Sequence, residues 1–425
     1  MLDIKLIREN PAVVENDLKK RRDEAKIKLL HELIKKDSER LGLLKKTEEL
    51  RYKRNVVTKE IAELKAKKKP IAARMKEIKE IPEKIRKNDT KLNQLNEQCR
   101  LILMQLPNVL HESVPIGADD KDNVEIRRYG EAPKFDFKPK GHAELLENLG
   151  LIDSGRAAKV AGHGFFYMKN ELVLLDMALQ RFALDFLRKR GFVVVNPPYM
   201  LNRKPYEGVT SLADFIDVLY KIEGEDLHLI ATSEHPIGAM LMDETLLEQE
   251  LPLKIAGVSP CFRKEVGAHG KYTKGLFRMH QFNKVEQFIF SAPEQSWALH
   301  EELQQNSEQL YQQLELHHRV VSVCTGDIGI IAAKKYDTEV WMADGVFREA
   351  GSNSNCTDFQ ARRLNIKFRE KEGTPPKGFV HTLNNTAIAT SRTMMAIIEQ
   401  HQQKDGSVLI PKALRPYTGF DKMEK

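Results

Sequence analysis

Cysteine is scarce in this 425-residue chain: Cys99, Cys261, Cys324 and Cys356 stand far apart, with no CxxC pair. That argues against a disulfide framework or a cysteine-rich zinc site and fits a reducing cytoplasm. No run of 18 apolar residues occurs, so neither a transmembrane helix nor a membrane partner is expected. The opening MLDIKLIREN is charged and lacks the apolar core of a secretory leader. Internal repeats are absent too. Charge, by contrast, is plentiful. Asp, Glu, Lys and Arg make up 30% of the chain and apolar residues 41%, the mixture of a soluble globular protein with some long solvated helix. A chain of this length can bury a large core and is expected to hold two domains.

The charge is unevenly placed. Residues 1–100 hold 29 Lys or Arg against 18 Asp or Glu, a net of +11; the whole chain is +7, which leaves −4 for the rest. A basic segment on a mildly acidic body fits an arm that holds a polyanion, and fits equally a solvated helix with a lysine surplus.

Residues 26 to about 65 have no proline and one glycine, Gly42. Apolar residues fall at Ile27, Leu30, Ile34, Leu41 and Leu44, then at Leu50, Val57, Ile61 and Leu64. This spacing predicts an amphipathic helix with a register shift after Leu44. KAKKKP, residues 65–70, should break it. A second periodic run, from Ile71 and Met75 through Ile85, Leu92, Leu95 and Cys99 to Ile102, predicts a second helix, with a kink expected at Pro82. Two long helices joined at a lysine-rich tip make an antiparallel coiled-coil hairpin. It can serve as a lever or as a dimerisation element.

From Pro107 to Gly130 prolines, glycines and acids read as a linker. Beyond it, ELVLLDMALQRFALDFLRKRG predicts a helix with Leu172, Leu175, Leu179, Phe182 and Phe186 on one face and Gly191 at its C-cap. FVVVNPP reads as a strand stopped by two prolines. LHLIAT, LKIAGVS, KVEQFIF and VVSVCT are further strands. The order predicts an α+β domain on an antiparallel sheet.

The chemistry concentrates in CFRKEVGAHGKYTKGLFRMHQFNKVEQFIF, Cys261–Phe290, a hairpin whose limbs carry polar groups and whose glycines allow a flexible loop between them. Arg263 and Glu265, two apart, would share a face of a strand. An Arg fork suits phosphate or carboxylate oxygens. Phe282 offers a flat surface to a base, and Glu286, four residues on, shares its face. Such groups fit a nucleotide together with a carboxylate-bearing molecule; a charged surface hairpin is the plainer alternative.

The chain resembles the class II aminoacyl-tRNA synthetases, and among them the seryl-tRNA synthetase family, from end to end. FRKEVGAHGKYTKGLFRMHQFNKVEQF is similar to the family's second motif. Thr232, Ser233 and Glu234 resemble its T-[AS]-E serine loop. FREAGSNSNCTDFQARR, Phe347–Arg363, resembles its E-x-x-S-x-S-N segment, and HTLNNTAIATSRTMMAIIEQHQ, His381–Gln402, its third motif in the archaeal and eukaryotic form. The helix and strand ending at Pro197–Pro198 resemble the first motif, which lies at the dimer interface in this class. Position 351 is Gly, where many members have a hydroxyl or Val, and Ala350 is also unusual.

The resemblance implies an N-terminal tRNA-binding helical arm over residues 1–110 and an α+β class II catalytic domain over 111–425. It implies activation of L-serine with ATP and transfer to the 3′ end of tRNA(Ser), with tRNA(Sec) as a second substrate left open, in a cytoplasmic homodimer. Arg263 would bridge the ATP α-phosphate and the serine carboxylate. Lys264 would join Arg263 in holding ATP, Glu265 would accept from the adenine amino group, and Phe282 would stack on the ring. Arg392 would clamp the γ-phosphate. Glu349 and Ser352 would hold ATP and its Mg²⁺; zinc is not expected. Thr232 and Glu286 would take the serine amino group, Thr386 with Glu286 its hydroxyl, and Ser233 and Glu234 would complete that pocket. Lys67, Lys68 and Lys69 would meet tRNA.

Plainer roles suit other residues. His317–His318 read as surface or packing residues, Cys261 as a packed strand residue, and Arg362–Arg363 as an ion pair or a tRNA contact. Two rivals stay open: an amino-acid-activating paralogue that loads a carrier other than tRNA, and a non-catalytic nucleic-acid-binding scaffold. The long arm disfavours the first; the presence of Arg263, Glu286, Glu349 and Arg392 disfavours the second.

Overall fold

The computed structural model describes residues 1–211, 217–265 and 275–425, which fall into two compact units, Met1–Pro107 and Asn108–Lys425. The loop expected between the limbs of the Cys261–Phe290 hairpin lies outside the described residues.

The first unit is helical: α1 Ile4–Glu9, α2 Pro11–Lys20, α3 Glu24–Ala66 and α4 Ala72–Gln105. Each start has a local cause. The Asp3 and Asp23 carboxylates accept from the first-turn amides of α1 and α3, and Pro11 opens α2. α3 ends at the lysine-rich tip, where Lys68 takes a left-handed φ of 53°. Glu39, Arg51, Lys53 and Glu60 of α3 pair with Lys91, Asp89, Glu77 and Arg74 of α4. Partners that descend as α3 ascends make the hairpin antiparallel. Exposed pairs of this kind add little stability; the apolar seam adds most.

That seam differs from the expected one. Leu41 and Leu44 are exposed, whereas Leu33, Asp37 and Thr47 are buried, so one stripe runs on without the predicted register shift. Asp37 tolerates burial because Arg8 of α1 donates to it from Nη2 at 3.0 Å and Arg40 Nη2 lies 2.9 Å away. The Thr47 hydroxyl donates to the Leu43 carbonyl of its own helix at 2.7 Å. Arg8 comes from another helix, so periodicity within α3 carries no sign of it. α4 continues through Pro82 as one helix, with Ile81 and Ile85 buried on either side of it.

The second unit is built on one eight-stranded sheet. In chain order its strands are β1 Val124–Tyr129, β2 Val193–Val195, β3 Leu253–Phe262, β4 Gln281–Ser291, β5 His318–Ser322, β6 Lys334–Trp341, β7 Phe347–Asn355 and β8 His381–Ala389. Their spatial order is β1-β5-β6-β7-β8-β4-β3-β2. All neighbours are antiparallel except β2 and β3, which are parallel with Val193 opposite Ile255. The fold is therefore α+β on an antiparallel-dominated sheet. β1 corrects the linker reading of residues 107–130. All six of its residues are exposed, so no buried face marks it as a strand.

Helices cover the sheet. They include α5 Glu171–Arg188, α6 Glu234–Ala239, α7 Ser296–Gln313 and α8 Thr390–Gln400. The five predicted apolar residues of α5 are buried. Its C-cap is Lys189 rather than Gly191, which lies two residues further on with a φ of 82°. Val285 and Ile289 of β4 pack in one core with Leu172, Leu175, Leu303, Leu310 and Ile397; Phe288 and Phe290 pack in a second with Tyr206, Ile237 and Leu364. Covered on both faces, β4 is a nearly continuous buried run. His317 and His318 are both buried, which selects packing over surface. Cys261 is fully buried on β3, and burial pushes its thiol up.

The corrected seam is testable by hydrogen exchange of α3 amides in the full chain. Leu33→Ala should destabilise the helical unit by about 2–5 kcal/mol. Leu41→Ala should stay within about 0.5 kcal/mol. Equal losses at both positions would restore the predicted seam.

Candidate active site

The site lies where β3, β4, β7 and β8 meet the loop before α6. Its register comes from the sheet. Glu286 of β4 faces Gly257 of β3 on one side and Thr386 of β8 on the other. Glu286 is almost wholly buried, and its carboxylate is heavily engaged. Oε1 accepts from Asn384 Nδ2 at 3.3 Å, Oε2 from Thr386 Oγ1 at 3.3 Å, and Lys284 Nζ lies 2.6 Å from Oε2.

Thr232–Glu234 form the opposite wall. Thr232 is buried, and its Oγ1 accepts from the Glu234 amide at 3.1 Å. Ser233 packs over β3, where a Cβ at Gly257 would come within 2.9 Å of its Oγ; only glycine lets this loop lie so near Glu286. The Glu234 carboxyl is pushed up to about 7, first by burial and then by the negative charge of Glu286, against the pull of Lys284 and Arg263.

Arg263 and Glu265 do not share a strand face as expected. β3 ends at Phe262, and Glu265 takes a left-handed φ of 48°. The Arg263 amide donates to the His280 carbonyl at 3.0 Å and its Nε to the Ala231 carbonyl at 3.3 Å. Its guanidinium lies 5.2 Å from the centre of the Phe282 ring. Arg263 thus links the hairpin to the wall carrying Thr232. Glu265 instead pairs with Arg278 at 3.0 Å, and the Lys264 ammonium lies 5.8 Å from the Tyr220 ring centre.

The far side is formed by β7 and the first turn of α8. Arg392 Nη1 donates to the Glu349 carbonyl at 2.6 Å and lies 3.5 Å from its Oε2; Ser352 Oγ donates to Glu349 Oε1 at 3.2 Å. Burial pushes the Glu349 carboxyl up, but Arg392, Lys335 and Arg263 outweigh it and bring it down to about 2. Half of the Glu349 side chain is open to solvent, which screens both effects. Opposite Ser352 in the sheet stands Asp337, a buried carboxyl. Burial pushes the Asp337 carboxyl up to about 7, so it is the Glu349 carboxylate and the Ser352 hydroxyl whose oxygens suit a hard divalent cation. No cluster of three or more His, Cys, Asp or Glu able to hold a metal occurs among the described residues, so such a cation would draw its other ligands from water or phosphate.

Gly351 has a tertiary cause: a Cβ there would lie 2.8 Å from Thr386 Cβ. Four further residues escaped the sequence reading. Lys284 and Asn384 grip Glu286; Lys335 lies 3.5 Å from Asp337 Oδ1; and Phe277 sits among the guanidiniums of Arg278, Arg348 and Arg392, 5.3–6.0 Å from its centre. Only the HQFNKVEQF spacing, which puts Lys284 on the Glu286 face, offered a signal. Arg362 pairs with Asp358 at 2.7 Å, and Arg363 donates to the Glu207 and Thr210 carbonyls; both stabilise the fold. Lys67, Lys68 and Lys69 belong to the helical unit, at its exposed tip.

An antiparallel sheet flanked by helices, with arginines converging on one cleft from a hairpin and from a following helix, defines a class II tRNA synthetase core. Residues 219–401 match the tRNA synthetase class II core domain (G, H, P, S and T). Residues 1–110 match the seryl-tRNA synthetase N-terminal domain, and the chain belongs to the seryl-tRNA synthetase family. A serine–tRNA ligase from Methanocella arvoryzae is 55% identical over 418 residues, 98% of each chain. The crystal structure of seryl-tRNA synthetase from Pyrococcus horikoshii complexed with ATP superimposes with a TM-score of 0.96 at 50% identity, covering 100% of this chain and 99% of that one. The cytoplasmic enzyme from Naegleria fowleri in complex with AMP gives 0.91 at 32% identity, with the same coverage.

The close approach at Gly351 yields a stability test. Gly351→Val should overpack the β7–β8 contact and cost about 1–3 kcal/mol, read as a lower midpoint in thermal unfolding. An unchanged midpoint would show that Thr386 has room to move.

Proposed function

We infer that this chain is a serine–tRNA ligase that uses ATP to form seryl-adenylate and then charges tRNA(Ser). The observation that carries the reading is the convergence of Arg263, the Glu234–Glu286 carboxylates and Thr386 on one pocket, with Arg392 and Glu349 across the cleft. Arg263 holds the serine carboxylate and the ATP α-phosphate together. Thr232 and Glu286 take the amino group, and Thr386 with Glu286 the hydroxyl; Ser233 and Glu234 close that wall. Phe282 stacks on adenine, Glu265 accepts from its amino group, and Lys264 lies beside the phosphates. Arg392 clamps the γ-phosphate.

The serine carboxylate is already a nucleophile, so no general base is needed. Its oxygen bonds to the α-phosphorus as the bond to pyrophosphate breaks; this chain contributes alignment and positive charge. The terminal ribose hydroxyl of tRNA then attacks the seryl carbonyl and AMP leaves. Glu349 and Ser352 would hold Mg²⁺, which would neutralise phosphate charge when bound.

Residues 1–110 act as the tRNA-binding arm, with Lys67, Lys68 and Lys69 against phosphates, and residues 111–425 as the catalytic domain. The +11 balance over residues 1–100 supports this. tRNA(Sec) enters as a second acceptor to be assayed beside tRNA(Ser). β2 is an edge strand with Val193 and Val194 exposed, and Leu174 and Met177 of α5 are exposed as well. They support a homodimer through this surface. Four buried free cysteines fit work in the cytoplasm, and no described helix is long and apolar enough to cross a membrane.

Arg263→Ala should lower serine-dependent ATP–pyrophosphate exchange by at least about a hundredfold in a folded protein. Near-normal exchange would remove ATP from this hairpin. Deleting residues 26–102 should spare adenylate formation and the dimer but steeply weaken tRNA binding. Neutralising Lys67, Lys68 and Lys69 should flatten its salt dependence by up to about one counterion per lost phosphate contact. A monomeric deletion product with intact tRNA affinity would instead make the hairpin a dimerisation element.

A further inference from the structure

Lys284 has no part in the reading above, yet it makes the shortest contact to the central carboxylate. Its ammonium is buried with Glu286, at side-chain exposures of 7% and 1%. Burying an ammonium costs several kcal/mol unless it is paired, so its presence in this pocket requires a cause. The formal charges facing the pocket suggest one. Glu234 and Glu286 are two carboxylates, and Lys284 and Arg263 are two cations. An amino acid brings an ammonium and a carboxylate. Arg263 matches the incoming carboxylate, which leaves two carboxylates and Lys284 for the incoming ammonium. Without Lys284, nothing but Arg263 would offset the charge of Glu286 beside the half-buried Glu234, and Glu234 would take up a proton more readily.

We propose that Lys284 is a positioning residue of the serine pocket, whose ammonium holds the Glu286 carboxylate in place and favours the charged form of Glu234 beside it, so that negative charge meets the substrate amino group. This rests on the assignment of that pocket to serine. Lys284 needs no contact with the substrate, because it acts through the carboxylates.

The other titratable groups facing the pocket leave Glu234 as its switchable charge. His235 of α6 donates to or accepts from Tyr206 Oη at 2.8 Å, and burial holds it down to about 3, so it is neutral at working pH. Burial raises Tyr206, Cys261 and Cys356, so they too stay neutral. Burial and Glu286 already raise Glu234, while Lys284 pulls it down; removing Lys284 raises it further. The sign follows. A carboxyl whose pKa climbs is protonated at neutral pH and regains its charge as pH rises, so the defect should be worst in acid.

The test is the pH profile of serine-dependent pyrophosphate exchange between about pH 6.5 and 8.5, with each variant compared with wild type at every pH. Lys284→Met should raise KM for serine by about tenfold at the acid end, the equivalent of one pKa unit. The ratio should fall towards one at the alkaline end, and KM for ATP should change little. Lys284→Gln, which keeps a hydrogen-bond donor beside Glu286, should behave alike and covers the case in which the Met variant does not fold. Glu286→Gln, assayed in parallel, separates the two levels. If it impairs serine use while the Lys284 variants give a pH-independent change or none, Lys284 is structural and the proposal fails, with the serine pocket intact. If Glu286→Gln leaves KM for serine unaltered, the pocket assignment fails and the proposal with it.

Discussion

Glu286 is a carboxylate buried in the middle of a sheet, and the catalytic unit is arranged to tolerate it. Three side chains reach it, Asn384 and Thr386 from one neighbouring strand and Lys284 from its own. Each is placed by sheet register rather than by a loop. A slip of one residue in the β4–β8 pairing would turn Thr386 to the other face and leave the carboxylate without that donor. The same register puts Gly257 opposite Glu286 on β3, where the missing side chain leaves space for Ser233. The pocket is therefore a property of the sheet's alignment, with the Thr232–Glu234 loop set over it.

A second consequence is that the central strands are polar and buried at once. β8 reads HTLNNTAIA, and eight of its nine residues are buried. Beyond Asn384 and Thr386, which bond to Glu286, its polar side chains reach the helices that cover the sheet. Asn385 donates to the Leu303 carbonyl at 2.7 Å and to Ser307 Oγ at 2.9 Å, and Thr382 donates to Gln360 at 2.6 Å. Such bonds cost little while complete and much when broken, which holds the strands in one alignment. Two carboxyls across the cleft then carry opposite biases. Glu349 is drawn down by Arg392 across the β7–α8 corner, whereas Glu234 is pushed up by burial and by Glu286. Glu349 is set to remain an anion, and Glu234 is held near its titration point.

The helical unit solves a different problem with the same rule. A long two-helix hairpin has a narrow seam, and Asp37 occupies it at the cost of recruiting Arg8 from α1 and Arg40 from its own helix. Exposed apolar residues such as Leu41 lie outside the seam, and Lys65, Lys67, Lys68 and Lys69 cluster at the tip.

The sequence by itself determined the parts that depend on local pattern. Apolar period set the two long helices and α5, and KAKKKP the lysine-rich break; apolar runs set β3 and β4; and the resemblance to seryl-tRNA synthetase motifs brought Arg263, Glu286, Glu349, Thr386 and Arg392 to notice together. It could not set what needed a partner from elsewhere in the chain. β1 became a strand because β5 offered it an edge, although none of its residues is buried. Asp37 entered the seam because Arg8 arrived from α1. Gly351 made room for Thr386, and Lys284 gained its place against Glu286 only once the strand fixed which side chains face inward. In each case the deciding energy is a contact between residues distant in the chain or a burial that no window of neighbouring residues contains, and only the tertiary structure supplies it.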